Sequence, residues 1–505
     1  MDSRAGKLWQ RGMLHFRLGN MEAAQANFES FLAREPNSGP GRFRLSMVLA
    51  RRGRHQAAVA LIEQVLASEP EQLELLAQHG RCLLACGLVE PARSVALHAL
   101  SLPRSGPVAM DALAVVLTRL EEQSLALELF DQAIALDPRQ ASIYFNRALA
   151  RRQFGLADGA EQDLRTCLAL DPAHAKAHWT LALLRGRDDP AHRVQLERQL
   201  GRSPAGSGRE LTALALFREL DALGDPAAAW PALRSGIAIR PPHPGEAPDA
   251  WVDALVGTCG ERFVRTTAQS GTPAAPIFIF GMPQSGVALF GSLLSRHSGV
   301  QHLGQLQAFA PLLSRALGRD TQRPFEAGDF ARLDQIDCDT LGRDFLAATG
   351  GDRHKSLLVC ESRPMDFQLA GVIARALPGA RLLHMRRDPL DTCTSILAQA
   401  SGERAMPSGD PAALARYYLQ YHRLMQHWHQ VLPGRLMDID YESLVSRPDM
   451  VLRVVCSFLG IRYGSSLRMG LSLHSRSIGR GRRYAEQLPE LDAGLRPLYR
   501  ETRSA

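Results

Sequence analysis

The sequence predicts an α-helical solenoid in the N-terminal part of the chain and a parallel α/β domain with a P-loop-like turn in the C-terminal part. Prolines recur about every 34 residues, close to the period of a helix-turn-helix repeat; they are Pro36, Pro70, Pro103, Pro138 and Pro172. After residue 275, apolar runs of strand length alternate with helical patterns, which is typical of a sheet covered by helices. A small-residue loop bounded by Gly281 and Gly286 follows the first of these runs, and a helical pattern begins directly after it.

The phase of the N-terminal repeats also holds inside each unit. A glycine occupies the predicted turn between the two helices at Gly19, Gly53, Gly87 and Gly155. Five residues later a small side chain lets the helices approach closely; these residues are Ala24, Ala58, Ala92, Ala126 and Ala160. The pattern resembles the tetratricopeptide repeat family over residues 5–174. The resemblance implies a stacked solenoid whose concave surface binds a protein or an extended peptide.

Breaks in composition divide the chain into four segments. Residues 1–174 carry the repeats, and residues 175–240 lose the phase and form a degenerate repeat or helical extension. Residues 241–270 form a linker, because their first part, PPHPGEAPDA, is polar and rich in proline. Residues 271–500 form the α/β domain.

Composition and charge restrict the class of protein. The chain has 505 residues, 45% of them hydrophobic, and a net charge of +7 that arises almost wholly from arginine. No basic run interleaved with aromatic residues occurs, so we predict no binding to nucleic acid. No stretch of about 18 apolar residues occurs either, and the eight cysteines are scattered as in proteins of reducing compartments. We therefore expect a cytoplasmic protein that does not bind a membrane.

One helical segment is rich in histidine, which raises the question of a metal site. His422, His427 and His429 lie within YHRLMQHWHQ, but no two of them are four residues apart. They therefore do not share one helix face in the way that a metal-binding pair requires. We predict no metal site.

The predicted strands of the α/β domain are short apolar runs, at 277–280, 356–360, 381–385 and 435–439. The loop after the first strand has the geometry that directs backbone N–H groups and a helix dipole at one anion. Val287 and Ala288 stand where a nucleotide-triphosphate-binding loop has Lys and Ser or Thr. Their presence disfavours an NTP-dependent kinase.

Four segments of this domain resemble the sulfotransferase family, closest to its bacterial repeat-fused branch related to protein-tyrosine sulfotransferases. They are PIFIFGMPQSG, LLSRH, ARLLHMRRDPLDTCTS and DYESLVSRP, and the resemblance covers roughly residues 270–495. It implies 3′-phosphoadenosine 5′-phosphosulfate (PAPS) as co-substrate, no metal, and a protein or peptide hydroxyl such as tyrosine as acceptor. By resemblance, the loop residues Pro283, Ser285, Gly286, Val287 and Ala288 hold the 5′ end of the donor, while Arg387 and Ser395 hold its 3′ phosphate.

The residues that carry the family's chemistry are nevertheless replaced in this chain. Gln284 stands for the loop arginine, Gln305 for the catalytic base glutamate and Ser362 for a lysine. Val287 and Ala288 stand for a pair of threonines, and Gly481 for an aromatic residue near the donor. An amide has no useful basicity, so Gln305 cannot take the acceptor proton.

Two functions therefore stay open. The first is a weak or inactive PAPS-dependent sulfotransferase, for which Glu361 and His302 are the candidate stand-ins for the base. Arg363 replaces the cation only if the strand has ended before it, because neighbouring strand residues point to opposite faces. The alternative is a non-catalytic scaffold or nucleotide-sensing pseudoenzyme that binds protein partners through its repeats.

Overall fold

The structure is a computed structural model, and it describes residues 3–86, 88–103, 106–185, 189–204, 206–240, 249–265, 275–303, 308–319, 323–349, 358–400, 406–464, 467 and 477–504. The chain divides into two compact units, Met1–Ser203 and Pro204–Ala505. This division falls inside the segment 175–240. In the described ranges, no helix is both long and apolar enough to cross a membrane.

The first unit is a series of antiparallel helix pairs. Its described helices are α1 (Ser3–Arg17), α2 (Met21–Leu32), α3 (Gly39–Arg51), α4 (His55–Leu66), α5 (Leu73–Ala85), α6 (Val89–Ser101), α7 (Pro107–Arg119), α8 (Gln123–Leu136), α9 (Ala141–Gln153), α10 (Ala157–Leu170), α11 (Ala175–Arg185) and α12 (Pro190–Arg202). The first helices of successive repeats pack side by side, α3 on α5, α5 on α7 and α7 on α9. They form the inner row of a solenoid.

The predicted repeat positions have the conformations that the pattern requires. The small residues of the second helices, Ala24, Ala58, Ala92, Ala126 and Ala160, are all fully buried. The turn glycines Gly19, Gly53 and Gly155 have φ of +79°, +78° and +77°, and Gly87 lies outside the described residues. In the fourth repeat Glu121 takes the same left-handed conformation, with φ of +63°. The stack imposes this turn even without glycine, at the strain expected for a residue with a Cβ.

The second unit contains a parallel sheet. Its strands are β1 (Ile277–Gly281), β2 (Val300–His302), β3 (Leu358–Ser362), β4 (Arg381–Arg386) and β5 (Leu436–Asp440). They pair in the order β2-β3-β1-β4-β5, and every pair is parallel. The chain leaves β1 toward β2 and β3 on one side and later adds β4 and β5 on the other. The carboxyl end of β1 is therefore the topological switch point, where such sheets bind ligands.

Helices cover both faces of the sheet. The described helices of the second unit are α13 (Ser207–Ala222), α14 (Pro226–Ile237), α15 (Ala250–Thr258), α16 (Glu261–Arg265), α17 (Val287–Leu294), α18 (Phe309–Ala316), α19 (Ala327–Phe330), α20 (Cys338–Thr349), α21 (Ala370–Ala376), α22 (Pro389–Leu397), α23 (Pro411–Val431), α24 (Tyr441–Ser446), α25 (Pro448–Leu459) and α26 (Pro489–Ser504). Residues of α17 and α25 bury one face with Ile277, Ile279, Leu383 and Met385. On the other face, the ring of Phe278 packs against those of Phe309 and Phe345.

The pair α13–α14 belongs to this second unit, because its polar side chains bind the C-terminal segments. Asp221 of α13 accepts a hydrogen bond of 2.6 Å from Tyr484 Oη and forms an ion pair of 3.0 Å with Arg480. Arg240 forms a buried ion pair with Glu210 at 2.9 Å and donates to the carbonyl of Leu397 at 2.9 Å. These bonds fix the residues after α22 and the 3₁₀ turn Gly481–Tyr484, both of which border the candidate site.

Candidate active site

The loop between β1 and α17 is shaped by two glycines. A Cβ on Gly281 would lie 2.4 Å from the carbonyl oxygen of Met385. Gly286 has φ of +106°, and a Cβ there would lie 2.8 Å from Cδ2 of Tyr441. Neither position admits a side chain without displacing the backbone or a packed ring. The loop therefore lies close against β4 and Tyr441, directly before the helix start where unpaired N–H groups favour an anion.

The side chains of the loop differ in exposure. Pro283 and Val287 are buried, whereas Gln284 and Ala288 are exposed. Gln284 has φ of +68°, an uncommon conformation for a residue with a Cβ. The hydroxyl of Ser285 is buried without a hydrogen-bond partner among the described residues. A buried hydroxyl of this kind is suited to an oxygen of a bound anion, because an unpartnered polar group is otherwise unfavourable there.

Arg387, directly after β4, reaches this loop. Its Nη1 donates to the Gln284 carbonyl at 2.8 Å and its Nη2 to the Ser477 carbonyl at 2.7 Å. Its guanidinium lies 4.9 Å from the centroid of the Tyr441 ring, and its Nε is buried without a partner among the described residues. Both acceptors are neutral, so the positive charge of Arg387 is not neutralised by an ion pair within the described part of the chain. Ser395 lies buried on α22, which begins two residues after Arg387.

The segment that closes over Arg387 is fixed to α22 by backbone hydrogen bonds. The buried carboxylate of Asp391 accepts from the N–H groups of Gly479 at 2.7 Å and Gly481 at 2.6 Å. A Cβ on Gly481 would lie 2.5 Å from the carbonyl carbon of Leu390. An aromatic side chain therefore has no room at Gly481 with the backbone as it is here. The close approach of two backbones explains the glycine.

Ser362, at the end of β3, is paired with a histidine. Its Oγ lies 2.8 Å from Nε2 of His302, at the end of β2. Gly291 of α17 covers the pair, since a Cβ there would lie 2.7 Å from both Ser362 Oγ and His302 Nε2. Burial lowers the pKa of the His302 imidazole below its ordinary value. The ring is therefore neutral at pH 7 and has a nitrogen that can accept a proton. Gln305 lies outside the described residues.

Glu361 is unsuited to the same role. It is 1% exposed, and its Oε2 accepts from the N–H groups of Ala308 at 3.4 Å and Phe309 at 3.3 Å. Burial, with the nearby carboxyl of Asp366, raises the pKa of Glu361 to about 8. Glu361 is thus mostly protonated at pH 7, which makes it a poorer base than His302. Arg363 forms an ion pair with Asp366 at 3.1 Å, so it is engaged by a carboxylate.

A second polar cluster joins three elements that the sequence leaves far apart. Asp438 Oδ1 lies 2.8 Å from His384 Nδ1 and 2.9 Å from His429 Nε2. The candidate metal-ligand atoms of His384, His429 and Asp438 lie within 4.8 Å of one another. His384 Nε2 is also hydrogen-bonded to the hydroxyl of Tyr421. The set has the composition of a metal-ligand group, although its atoms are hydrogen-bonded to each other here. The spacing of the α23 histidines alone does not indicate this cluster, because the other two residues lie on β4 and β5.

Comparison with known proteins assigns both parts of the chain. Residues 276–465 match the model of the sulfotransferase family, and residues 10–73 and 112–175 match that of the tetratricopeptide repeat. An uncharacterized protein of Aquifex aeolicus (strain VF5) is 28% identical over 36% of this chain and 25% of its own length. Tetratricopeptide repeat protein 36 of Bos taurus is 41% identical over 17% of this chain and 49% of its own length.

A further relative carries a sulfotransferase name. The "Putative protein-tyrosine sulfotransferase" of Caenorhabditis briggsae is 20% identical over 38% of this chain and 67% of its own length. The chain spans a quarter of the Aquifex relative and about half of the bovine one. Its two matched regions agree with the helical solenoid and the parallel sheet described above. The chain therefore combines tetratricopeptide repeats with a domain of the sulfotransferase family.

Proposed function

We propose that the sulfotransferase-family domain binds PAPS at the β1–α17 loop and transfers its sulfuryl group to a protein or peptide hydroxyl, such as tyrosine, only weakly. The observation that carries this proposal is Arg387. It is a buried arginine without an ion pair among the described residues, and it donates to the backbone of the loop itself. A charge in this setting favours an anionic ligand, and the planar guanidinium suits a phosphate.

The loop offers further groups that fit the donor. Gly281 and Gly286 let the loop lie against β4 and Tyr441, and the start of α17 directs its dipole at the same place. The unpartnered hydroxyl of Ser285 supplies a hydrogen bond. In this proposal Pro283, Val287 and Ala288 shape the loop around the 5′ end, as the family resemblance implies. Ser395 assists Arg387 at the 3′ phosphate.

Transfer is expected to be weak because neutral residues occupy two positions where the family has cations. Sulfuryl transfer gains from positive groups on the sulfuryl oxygens and the leaving phosphate, and a missing donor of this kind costs about 100- to 1,000-fold. Gln284 and Ser362 are neutral where the family has Arg and Lys. Arg363 is held by Asp366 instead of replacing the lysine.

His302 is the base that we propose for the remaining transfer. In the tautomer whose Nε2 carries no proton, it accepts the proton of Ser362 Oγ. Ser362 in turn accepts the proton of the acceptor hydroxyl. The acceptor oxygen bonds to sulfur while the bond between sulfur and the phosphate oxygen breaks, and the nucleotide leaves with its electron pair. His302 ends protonated and returns the proton to solvent.

A non-catalytic, nucleotide-sensing scaffold is the second candidate. It is favoured by the protonated, enclosed state of Glu361, which removes one of the two stand-in bases. In both candidates we propose that the repeats bind a protein or peptide partner. The candidates differ only in whether the bound donor reacts.

Calorimetric titration with 3′-phosphoadenosine 5′-phosphate, the product of the donor, tests the shared part of both candidates. Saturable binding supports the site, whereas no heat at millimolar ligand contradicts the enzyme and the sensor alike. Labelled PAPS and a tyrosine peptide then separate the two. Slow transfer that His302→Gln abolishes supports the enzyme, and binding without transfer supports the scaffold.

A gain-of-function variant tests the assignment of the replaced positions. Gln284→Arg, Gln305→Glu and Ser362→Lys together restore the cations and the base that the resemblance implies, so we expect transfer to increase. If the triple variant binds nucleotide normally and transfers no faster than the natural chain, these positions are wrongly assigned.

A further inference from the structure

Three arginines occupy one face of the inner helices of the repeats. Arg51 of α3 and Arg119 of α7 hold the same repeat position, since 119 − 51 = 68 residues is about two repeat lengths. Arg81 of α5 lies four residues before the corresponding position of the repeat between them. Positions four apart lie on the same face of a helix, and α5 packs against both α3 and α7. The three side chains therefore lie along the concave surface, one to a repeat.

These positive charges are not neutralised by ion pairs within the described part of the chain. Arg51 instead packs on an aromatic ring, with its guanidinium 4.0 Å from the centroid of Phe16. Burial lowers the pKa values of Arg51 and Arg119, and the charge of Arg81 lowers both further. Arg81 is thus close enough to repel each of the other two. Like charges close to one another destabilise the folded repeats, and the nearby carboxylate of Asp111 offsets this only in part. An anionic ligand would relieve the remaining repulsion.

The neighbouring polar groups indicate what kind of anion fits. Asp111 of α7 is half-buried, and both its oxygens accept from Asn146 Nδ2, at 3.0 and 2.9 Å. Burial raises the pKa of Asp111 to about 6, while the charge of Arg81 opposes this rise. Asp111 is mostly ionised at pH 7, so the surface alternates positive and negative groups. A continuous phosphodiester backbone would be repelled at Asp111, whereas a peptide with separated carboxylates would not.

We propose that this concave surface binds an extended acidic peptide of a partner protein, whose carboxylates pair with Arg51, Arg81 and Arg119. This inference rests on the proposal that the repeats bind a partner and names the chemistry of that partner. It does not depend on whether the sulfotransferase-family domain is active. Arginine is well suited to the contact, since its guanidinium binds a carboxylate through two parallel hydrogen bonds.

Fluorescence anisotropy with the full chain tests the inference directly. The probes are a labelled peptide with glutamate at every third position and two matched peptides that carry glutamine or lysine instead. We expect only the acidic peptide to bind, with weaker binding as salt rises. Arg81→Gln should raise the Kd about tenfold, or about 1.4 kcal/mol, and the triple Arg51, Arg81 and Arg119→Gln variant should abolish binding.

A charge-matched control distinguishes the surface from the net charge of the protein. The triple variant Arg54, Arg139 and Arg198→Gln removes the same charge from exposed positions in two turns and on α12 of the same unit. We expect it to bind the acidic peptide as the natural chain does. Thermal melting checks folding. The concave triple variant should melt close to the control, because the repulsion that it relieves offsets the lost packing of Arg51 on Phe16.

Each of the remaining outcomes contradicts a different part of the inference. Equal binding of the glutamine or lysine peptide overturns the acidic preference and leaves the partner proposal standing. Preferential binding of a single-stranded RNA oligonucleotide overturns the choice of a peptide. Equal loss in the control and concave variants overturns the assigned surface, and binding of none of the probes overturns the inference outright, while the nucleotide titration still tests the other unit.

Discussion

Replacement of Arg387 by alanine should separate nucleotide binding from the rest of the fold. In the structure this guanidinium donates two hydrogen bonds, of 2.8 Å to Gln284 O and 2.7 Å to Ser477 O, and its Nε has no partner among the residues that the structure describes. Its side chain is only 8% exposed. The truncation therefore removes both the charge that would bind phosphate and the bonds that join the loop to residue 477.

The size of the effect on binding follows from the hydrogen bonds that the guanidinium would donate to a bound phosphate. A hydrogen bond to a charged group contributes about 1.5–3 kcal/mol, and each 1.4 kcal/mol is about a tenfold change in Kd. Loss of a two-point phosphate contact should therefore weaken binding of 3′-phosphoadenosine 5′-phosphate by about 100-fold or more. Arg387→Lys keeps the charge without the planar fork, so its Kd should lie between those of the natural chain and the alanine variant.

Isothermal titration is the assay, and Arg386→Ala is the matched control. Arg386 is the adjacent residue with the same charge, but it is 48% exposed and pairs with Asp438 at 3.0 Å. Its removal should change the Kd by no more than about threefold, as for a screened surface charge. If Arg387→Ala binds within that same range while it melts like the natural chain, Arg387 is not the anion-binding group and the reasoning fails.

Three further predictions address the reacting centre and the two folds. Gly291→Ala places a Cβ 2.7 Å from both Ser362 Oγ and His302 Nε2, so residual transfer should fall while nucleotide titration stays unchanged; Ser292→Ala on the exposed side is the control. Glu361 has a folded pKa of about 8 against 4.5 in the unfolded chain, so its contribution to stability is lost as pH rises through 8. The free energy of unfolding of Glu361→Gln should consequently exceed that of the natural chain at pH 9, by on the order of a few kcal/mol, with a smaller difference at pH 5. An equal free energy of unfolding at both pH values would contradict the raised pKa of Glu361. Asp163→Ala removes the buried carboxylate that binds Arg147 at 2.6 Å and Arg151 at 2.9 Å, and leaves Arg147 only its more exposed partner Asp131. It should destabilise the solenoid by about 3 kcal/mol in chemical denaturation; Glu161→Ala, from a more exposed pair, should change stability by less than about 1 kcal/mol.

The sequence predicted those parts of the structure that depend on local or strictly periodic contacts. Each repeat contacts only its neighbours, so a regular proline and alanine phase was sufficient to predict the solenoid. The anion loop was predicted for a similar reason, since the close approach of backbone at Gly281 and Gly286 depends on a short span of chain. Glu121 marks the limit of the pattern, because the stack imposes a left-handed turn where the expected glycine is absent.

Contacts between distant segments were not predictable in the same way. The His302–Ser362 pair joins residues 60 apart, and β2 is a three-residue strand too short to recognise from its sequence. The His384, Asp438 and His429 cluster likewise needs the register of β4 with β5 and the packing of α23. Gly481 was compared with an aromatic position from sequence order alone. Its contact with the backbone of α22 became visible only in three dimensions.

Binding and transfer depend on different kinds of structure in this domain, and this difference determines which is more easily lost. The loop is held by backbone contacts, in which Arg387 bonds the carbonyl of residue 284 and not its side chain. Replacement of an arginine by Gln284 therefore removes a cation from the site but leaves the bond that positions the loop. Ser362 is likewise hydrogen-bonded to His302, so a serine at the position proposed to correspond to the family's lysine is compatible with the fold. Substitutions that remove the chemistry are thus compatible with the folded binding site, whereas a side chain at Gly281 or Gly286 would destroy it. Nucleotide affinity should consequently persist across changes that reduce turnover by orders of magnitude.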